Sequence, residues 1–257
     1  MIHLTSDQSI TLKSWFLPER AGSLVGSHVM LTGNGMCFVD RWPAPRAVLV
    51  ETAGNYTLLG EAQAIAPEEI RPHIRGFVET SEAFVPLLKT AFPDIRVWQR
   101  VVFAQQEALR LAVASDLSVR RLGPSDIHHL LGLSPDAAWI SKTWGGPQGL
   151  ASSGFGWGVF MAGQLVSVAC TFFLGETFED IGVVTESGFR GKGLSTACAQ
   201  ALCDDIRARG HCPTWTTSPD NTASIRVAEK LGFTVQRNYE LYVVGVQIPE
   251  PARPPQN

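Results

Sequence analysis

The stretch Ile181–Ser195, IGVVTESGFRGKGLS, constrains the chain more than any other. Ile181, Val183 and Val184 are β-branched and favour a strand. Gly188, Gly191 and Gly193 then allow a tight turn that leaves backbone N–H groups open. From Leu194 the apolar residues Leu194, Ala197, Cys198, Ala201, Leu202 and Ile206 recur on one helical stripe, which Gly210 ends. A strand that passes through glycines into a helix start is an anion site, because the first N–H groups of the helix lack partners and the helix dipole adds positive potential. Arg190 and Lys192 add charge at the same place.

Two familiar phosphate loops do not fit. The G-x-x-x-x-G-K type needs Ser or Thr directly after the lysine, and Gly193 follows Lys192. The dinucleotide fingerprint needs a third glycine where Thr196 stands. What remains, R-G-K-G-L-S, resembles the pyrophosphate loop Q/R-x-x-G-x-G/A of the GNAT superfamily of N-acyltransferases, with Ser195 at a position where Gly or Ala is usual. Farther on, Ser218–Phe233 (SPDNTASIRVAEKLGF) reads as turn residues followed by an amphipathic helix. Its N-x-x-S-x-x-x-A-E-K-L-G-F string is similar to the fourth helix of the same superfamily. The content, order and spacing of the two motifs together carry the resemblance.

The resemblance implies a mixed α+β fold: a mostly antiparallel GNAT-like sheet flanked by helices, spanning residues 113–248. It implies acetyl-CoA as acyl donor and direct transfer to a primary amine of a small molecule or peptide. It also implies that the backbone of Arg190, Gly191, Lys192, Gly193, Leu194 and Ser195 holds the pyrophosphate, and that Val183 and Val184 pair with the pantetheine arm as an added strand would. Asn221 and Ser224 fall where the fourth helix faces the cofactor; Asn221 would serve equally as a helix N-cap. Glu179 stands where some members carry a general base, and would otherwise be a solvated carboxylate at a strand end. The tyrosine that many members place before E-K-L-G-F is Ala228 here, so Tyr242 and Tyr239 are the remaining candidates for an acid at the leaving sulfur. Trp139 and Trp144, in a segment that covers the acceptor pocket in this fold, are candidates for substrate contact or for packing. A CoA-binding sensor with impaired chemistry is the alternative function.

Residues 1–112 form a smaller α/β domain by this reading. His28–Thr32 and Met36–Asp40 flank Gly33-Asn34-Gly35 as a hairpin signal, and Arg46–Thr52 and Tyr56–Leu59 read as further strands. Pro67–Glu79 and Ser81–Phe92 read as helices and Val97–Ala104 as a strand. Strands followed by helices and a strand are compatible with a degenerate copy of the GNAT-like half. His28 and His73 read as structural or surface residues, because no partner stands at metal-ligand spacing. Gln105–Ser115 bridges the halves, and residues 249–257 read as a disordered, proline-rich tail.

With 21 Lys and Arg against 24 Asp and Glu, the net charge of −3 excludes a nucleic-acid binder driven by bulk electrostatics. The five cysteines lack a C-x-x-C pair and sit mostly in apolar runs, which points to a reducing compartment, no zinc site and no disulfides. The first residues do not read as a signal peptide and no apolar run is long enough to span a bilayer, so the expected location is the cytoplasm, away from membranes. Monomer and homodimer stay equally open.

Overall fold

The structure is a computed structural model and describes residues 1–22, 24–105 and 117–251. Twelve strands make one sheet. In chain order they are β1 Ile2–His3, β2 Met36–Val39, β3 Ala47–Thr52, β4 Asn55–Gly60, β5 Gly76–Thr80, β6 Arg96–Gln105, β7 Ser118–Arg121, β8 Gly156–Met161, β9 Gln164–Leu174, β10 Phe178–Thr185, β11 Cys212–Thr217 and β12 Phe233–Val244. The helices are α1 Ser6–Ile10, α2 Val25–Thr32, α3 Pro67–Ile70, α4 Val85–Ala91, α5 Ile127–Leu131, α6 Pro147–Ser153, α7 Leu194–Ala208 and α8 Thr222–Lys230.

The spatial order is β1-β2-β3-β4-β5-β12-β6-β11-β10-β9-β8-β7. Read from either edge toward the middle, it is the same series. Five strands in sequence order lead inward from each edge, with a parallel step only at β4/β5 and at β10/β11. The central pair is exchanged. The last strand of the amino-terminal series, β6, lies between β11 and β12, and the last strand of the whole chain, β12, lies between β5 and β6. Each half therefore completes the other, and a single sheet runs across the boundary expected near residue 112.

Directly opposed residues share a face, so the register assigns the helices. Val101 is buried with α7 and α8, and Tyr242 is buried with α3 and α4. Tyr242 opposes Val97, which shares Val101's parity, so these four helices cover one face. The other face carries α2 over the amino-terminal strands and α5, α6 and the 3-10 turn Ala138–Trp144 over the carboxy-terminal ones. His28, on α2, staples the two halves on this second face. Its Nδ1 accepts from Leu174 N–H at 3.0 Å and its Nε2 donates to the Thr143 carbonyl at 2.9 Å. Burial keeps it neutral, with its pKa lowered to about 4.

Several local expectations change. Residues 25–32 form helix α2 rather than the first arm of a hairpin, and the Gly33-Asn34-Gly35 signal is spent on ending it: Gly33 is the left-handed C-cap, with φ of 72°. The helix expected over Pro67–Glu79 stops at Ile70, and Gly76–Thr80 joins β4 as strand β5. Residues 134–155 acquire order as the 3-10 turn and α6. The bridge after Gln105 and the tail beyond Pro251 lie outside the described residues.

Candidate acyl-transfer site

The site is built on the parallel pair β10/β11. Pairing runs from Phe178↔Cys212 to Ile181↔Trp215 and stops there, although β10 continues to Thr185. Beyond Ile181, β11 continues its pairing with β6, and Val183 and Val184 pair only with Ala169 and Val168 of β9. The two strands thus part, and a slot opens with one edge of Val183 and Val184 facing it. The loop that follows is exposed at Gly191, Lys192 and Gly193. Gly193 caps α7 with φ of 75°, and a Cβ there would meet nothing within 4 Å. No side chain caps this fifteen-residue helix, so its first N–H groups face outward, and no acidic residue occupies its first turn. Arg190 donates from Nε to the Thr185 carbonyl at 3.3 Å, which holds the loop against the end of β10. Backbone donors, a helix N-terminus and two cations converge on one open place, as anion binding requires.

α8 is positioned beside it. Asn221 caps that helix by accepting from Ser224 N–H at 3.2 Å, and Ser224 Oγ accepts from Trp215 Nε1 at 2.9 Å. Both residues therefore carry a structural bond at the end of β11. Ala228 is fully buried between α7, α8 and the sheet, so the position before E-K-L-G-F contributes volume to the core.

Glu179 differs from both sequence readings. It is not solvated. It has no exposed surface, and its carboxylate accepts from Arg209 at 2.9 and 2.7 Å, from His211 Nδ1 at 2.9 Å and from Thr171 Oγ1 at 2.5 Å. With these donors saturating it, and on the face covered by α7, the group ties the C-terminal end of α7 to β10. Tyr242 lies away from this corner. Its side chain belongs to the core under α3 and α4 and its hydroxyl donates to Glu240 at 3.2 Å. Three strand spacings, roughly 14 Å, separate β12 from β10. Trp144 is a core residue, with Nε1 donating to the Thr171 carbonyl at 2.7 Å and its ring stacked on Phe155. Trp139 stays half-buried against Phe172.

The second face of the seam holds what the sequence reading missed. Asp180 points there, 5% exposed, with Oδ1 accepting from the hydroxyls of Thr214 and Thr216, both at 2.9 Å. Burial raises its pKa to about 7, against the opposing pull of those hydroxyls and of Arg100. The register puts Arg100, Arg237, Tyr239 and Glu79 on the same face. Arg100 stacks on Trp98 at 4.0 Å and donates to the Thr216 carbonyl at 3.2 Å. Arg237 pairs with Glu79 at 3.5 Å and lies over the Tyr239 ring. Burial raises the Tyr239 pKa. The alternation of Glu179 and Asp180 was legible in the sequence; which of the two faces α7 covers was not, because that depends on tertiary packing.

Four of the five cysteines are buried and all are free. Burial raises the Cys37 thiol to about 11 and those of Cys198 and Cys203 to about 12, which leaves no nucleophilic thiolate at these positions. Among the described residues, no group of three His, Cys, Asp or Glu is arranged to hold a metal ion, and no helix is long and apolar enough to cross a membrane.

The parted parallel pair, the glycine loop and the uncapped helix sit in a mixed α+β fold whose large, mostly antiparallel sheet is flanked by helices. The chain belongs to the GNAT acetyltransferase family, whose model matches residues 19–242. It is 39% identical over 200 residues to an uncharacterized N-acetyltransferase of Streptomyces virginiae, covering 77% of this chain and 84% of that one. Among solved structures it is similar to a GCN5-related N-acetyltransferase-like protein from Streptococcus suis (TM-score 0.70, 18% identity, 93% of this chain and 98% of that one). It is also similar in fold to a tandem GNAT protein from the clavulanic acid biosynthesis pathway (TM-score 0.57, 13% identity, covering 93% and 94%). The family is thus the one that the two motifs resemble, and the likeness extends over both halves.

Proposed function

We propose that the protein is an N-acetyltransferase that moves an acetyl group from acetyl-CoA directly to a primary amine. The observation that carries this reading is the parted β10/β11 pair opening onto the uncapped start of α7. The N–H groups from Arg190 to Ser195 hold the pyrophosphate, with Lys192 adding charge. The free edge of Val183 and Val184 takes the pantetheine arm as a short added strand. Acetyl-CoA supplies the activated acyl group. Because α7 and α8 cover one face at this corner, the acceptor reaches the slot from the other. There Ile140 and Phe172 close over Gly182: a Cβ on that glycine would lie 3.0 Å from Ile140 Cδ1.

Residues 1–112 are, in the same proposal, a GNAT-like half that has lost its cofactor corner and contributes strand β6 and one side of the acceptor approach. Glu179 is assigned to holding α7, and Tyr242 to the amino-terminal core. The reaction is placed in the cytoplasm, where acetyl-CoA and free thiols coexist.

The reading is tested by calorimetry with acetyl-CoA, followed by thiol release on a panel of amino acids, polyamines, aminoglycosides and short peptides. Binding together with amine-dependent thiol release is the expected result. Binding without transfer to any amine would instead assign the chain to cofactor sensing, and absence of binding at millimolar acetyl-CoA would overturn the site itself.

A further inference from the structure

Gly182 leaves a gap on β10 that two neighbours from the second face fill. A Cβ there would lie 3.0 Å from Ile140 Cδ1 and 3.2 Å from Phe172 Cβ. Ile140 has no exposed surface, so the space over the glycine is packed. The position matters because of its neighbours along the strand. Ile181, just before it, is the last residue to pair with β11, and Val183 and Val184, just after it, are the edge that takes the pantetheine arm in the reading above. With the pyrophosphate at the loop beyond Thr185, that arm runs back along β10, and its thioester end comes to Gly182, where the slot closes. Ile181 and Trp215, buried in the core with α7 and α8, fill the other face there.

An irregular strand supplies half of the cover. Asp180 opposes Phe173 and Ile181 opposes Thr171, so Phe172 is an extra residue in β9. Phe172 and Phe173 both turn to the second face, with their rings edge-on at 4.8 Å; Phe172 packs in the cluster of Ile140 and Phe173 in that of α2. The 3-10 turn Ala138–Trp144 supplies the other half, Ile140. His28 holds both. Its Nε2 donates to the carbonyl of Thr143, which stands one 3-10 turn beyond Ile140 and so on the same side of the turn. Its Nδ1 accepts from the N–H of Leu174, two residues beyond Phe172 on β9. The imidazole lies edge-on to Trp144 at 5.2 Å and to Phe173 at 6.0 Å.

We propose that Ile140 and Phe172 limit the acyl donor to acetyl, and that His28 is the positioning residue through which the amino-terminal half keeps that limit. The inference rests on the transferase reading above and narrows the donor class of the same site. An acetyl group ends at its methyl and needs no space over Gly182. Each further methylene has to displace the tip of Ile140, and the two hydrogen bonds of His28 hold the turn and the strand that would have to retreat.

A calorimetric ladder on the full chain tests it without an acceptor, using acetyl-, propionyl- and butyryl-CoA with free CoA as the reference. Wild type should bind butyryl-CoA at least ~10-fold more weakly than acetyl-CoA, because a packed site discriminates by about that factor or more per methylene. Ile140→Ala removes more carbons than butyryl adds, so the ratio should fall close to one while acetyl-CoA affinity stays. His28→Leu keeps a buried apolar side chain but neither hydrogen bond, and should lower the ratio toward that of Ile140→Ala. His28→Gln keeps one donor and one acceptor and should bring the ratio back toward the wild type. Leu88→Ala opens a cavity in the amino-terminal core and should leave the ratio unchanged, which separates positioning from general loosening. A second measurement needs no variant. The proton on His28 Nε2 is buried and hydrogen-bonded, and its NMR signal should stay in place with saturating acetyl-CoA and shift with saturating butyryl-CoA. Equal affinity for the two donors in the wild type, or a ratio that Ile140→Ala leaves unchanged, would overturn the limit. An unchanged ratio in folded His28→Leu, or a His28 proton that responds alike to both donors, would overturn the role of His28. No binding of any acyl-CoA would overturn the cofactor corner of the transferase reading, and the limit with it.

Discussion

The β10/β11 corner and the β4/β5 corner occupy equivalent places in the two halves of the sheet, yet their strand ends and helix starts differ. At β10/β11 the parallel pairing stops at Ile181 while β10 runs on, and the chain turns through Gly191 and Gly193 into a fifteen-residue helix with no acidic residue in its first turn. At β4/β5 the pairing runs to the last residue of β5, where the Thr80 hydroxyl donates to the Leu58 carbonyl at 2.6 Å and fastens the end. The chain then passes through Glu61 and a 3-10 turn into α3, four residues long, with Glu68 and Glu69 in its first turn. Glu69 caps its own helix, accepting from Ala66 N–H at 2.8 Å. Three carboxylates and a satisfied helix start repel what three glycines and an open helix start attract. Under the proposed function, fold repetition and site repetition are separate: the sheet keeps both corners, and a few residues at the strand ends distinguish the proposed cofactor corner from its counterpart.

The strongest way to break the comparison is to separate the halves. A chain of residues 113–257 lacks β6, which pairs with both β11 and β12, so it should show no cooperative thermal transition by circular dichroism. A folded, monomeric truncated protein would show that the exchange is dispensable.

Next in size is the loop. Gly193→Asp places a carboxylate in the cradle and a non-glycine residue at φ of 75°, so acetyl-CoA affinity should fall at least ~100-fold by calorimetry, since charge repulsion adds to the strain of the turn. Gln63→Asp, in the equivalent turn after β4, should leave affinity unchanged. Equal losses in the two variants would mean that both corners bind.

Glu179→Gln sharpens the division between holding and catalysing. Removing the charge leaves Arg209 and His211 facing a neutral amide at a buried position, which costs about 3 kcal/mol by analogy with broken buried ion pairs. Urea denaturation should register the loss while acetyl-CoA affinity stays near the wild type. Unchanged stability with lost turnover would return Glu179 to the chemistry.

The smallest effect is in the pH dependence of stability. Native His28 refuses a proton down to about pH 4, whereas the unfolded imidazole accepts one below 6.5. This makes the fold less stable as pH falls through that window. Asp180 keeps a proton up to about pH 7, whereas the unfolded carboxyl releases it above 3.8, which makes the fold less stable as pH rises. Each slope is about 1.4 kcal/mol per pH unit at most, and between pH 4 and 6.5 they oppose. Asp180→Asn should therefore expose a rise of stability with pH that the wild type largely hides. Identical slopes in the two proteins would show that Asp180 titrates normally.

Much of the carboxy-terminal half was legible because its signals are local. The stripe from Leu194 to Ile206 is buried as its period requires, apart from Ala201, which is only partly covered. The glycine loop also follows its strand as the motif demands. The amino-terminal half was read less well where a local signal had two uses. Gly33-Asn34-Gly35 can turn a hairpin or end a helix, and α2 needed the far side of the molecule, with His28 reaching Thr143 and Leu174, to be settled as a helix. The exchange of β6 and β12 leaves no trace in composition or period, because strand order is a property of the assembled sheet. For the same reason Asp180, Arg100 and Glu79, from three separate strands, could not be brought together by spacing along the chain.

The central claim is one functional corner in a doubled fold. Calorimetric titration of the full-length chain with acetyl-CoA tests it directly. The account predicts a single site per chain that Gly193→Asp removes. Two equivalents bound, or one that persists in Gly193→Asp, would contradict it.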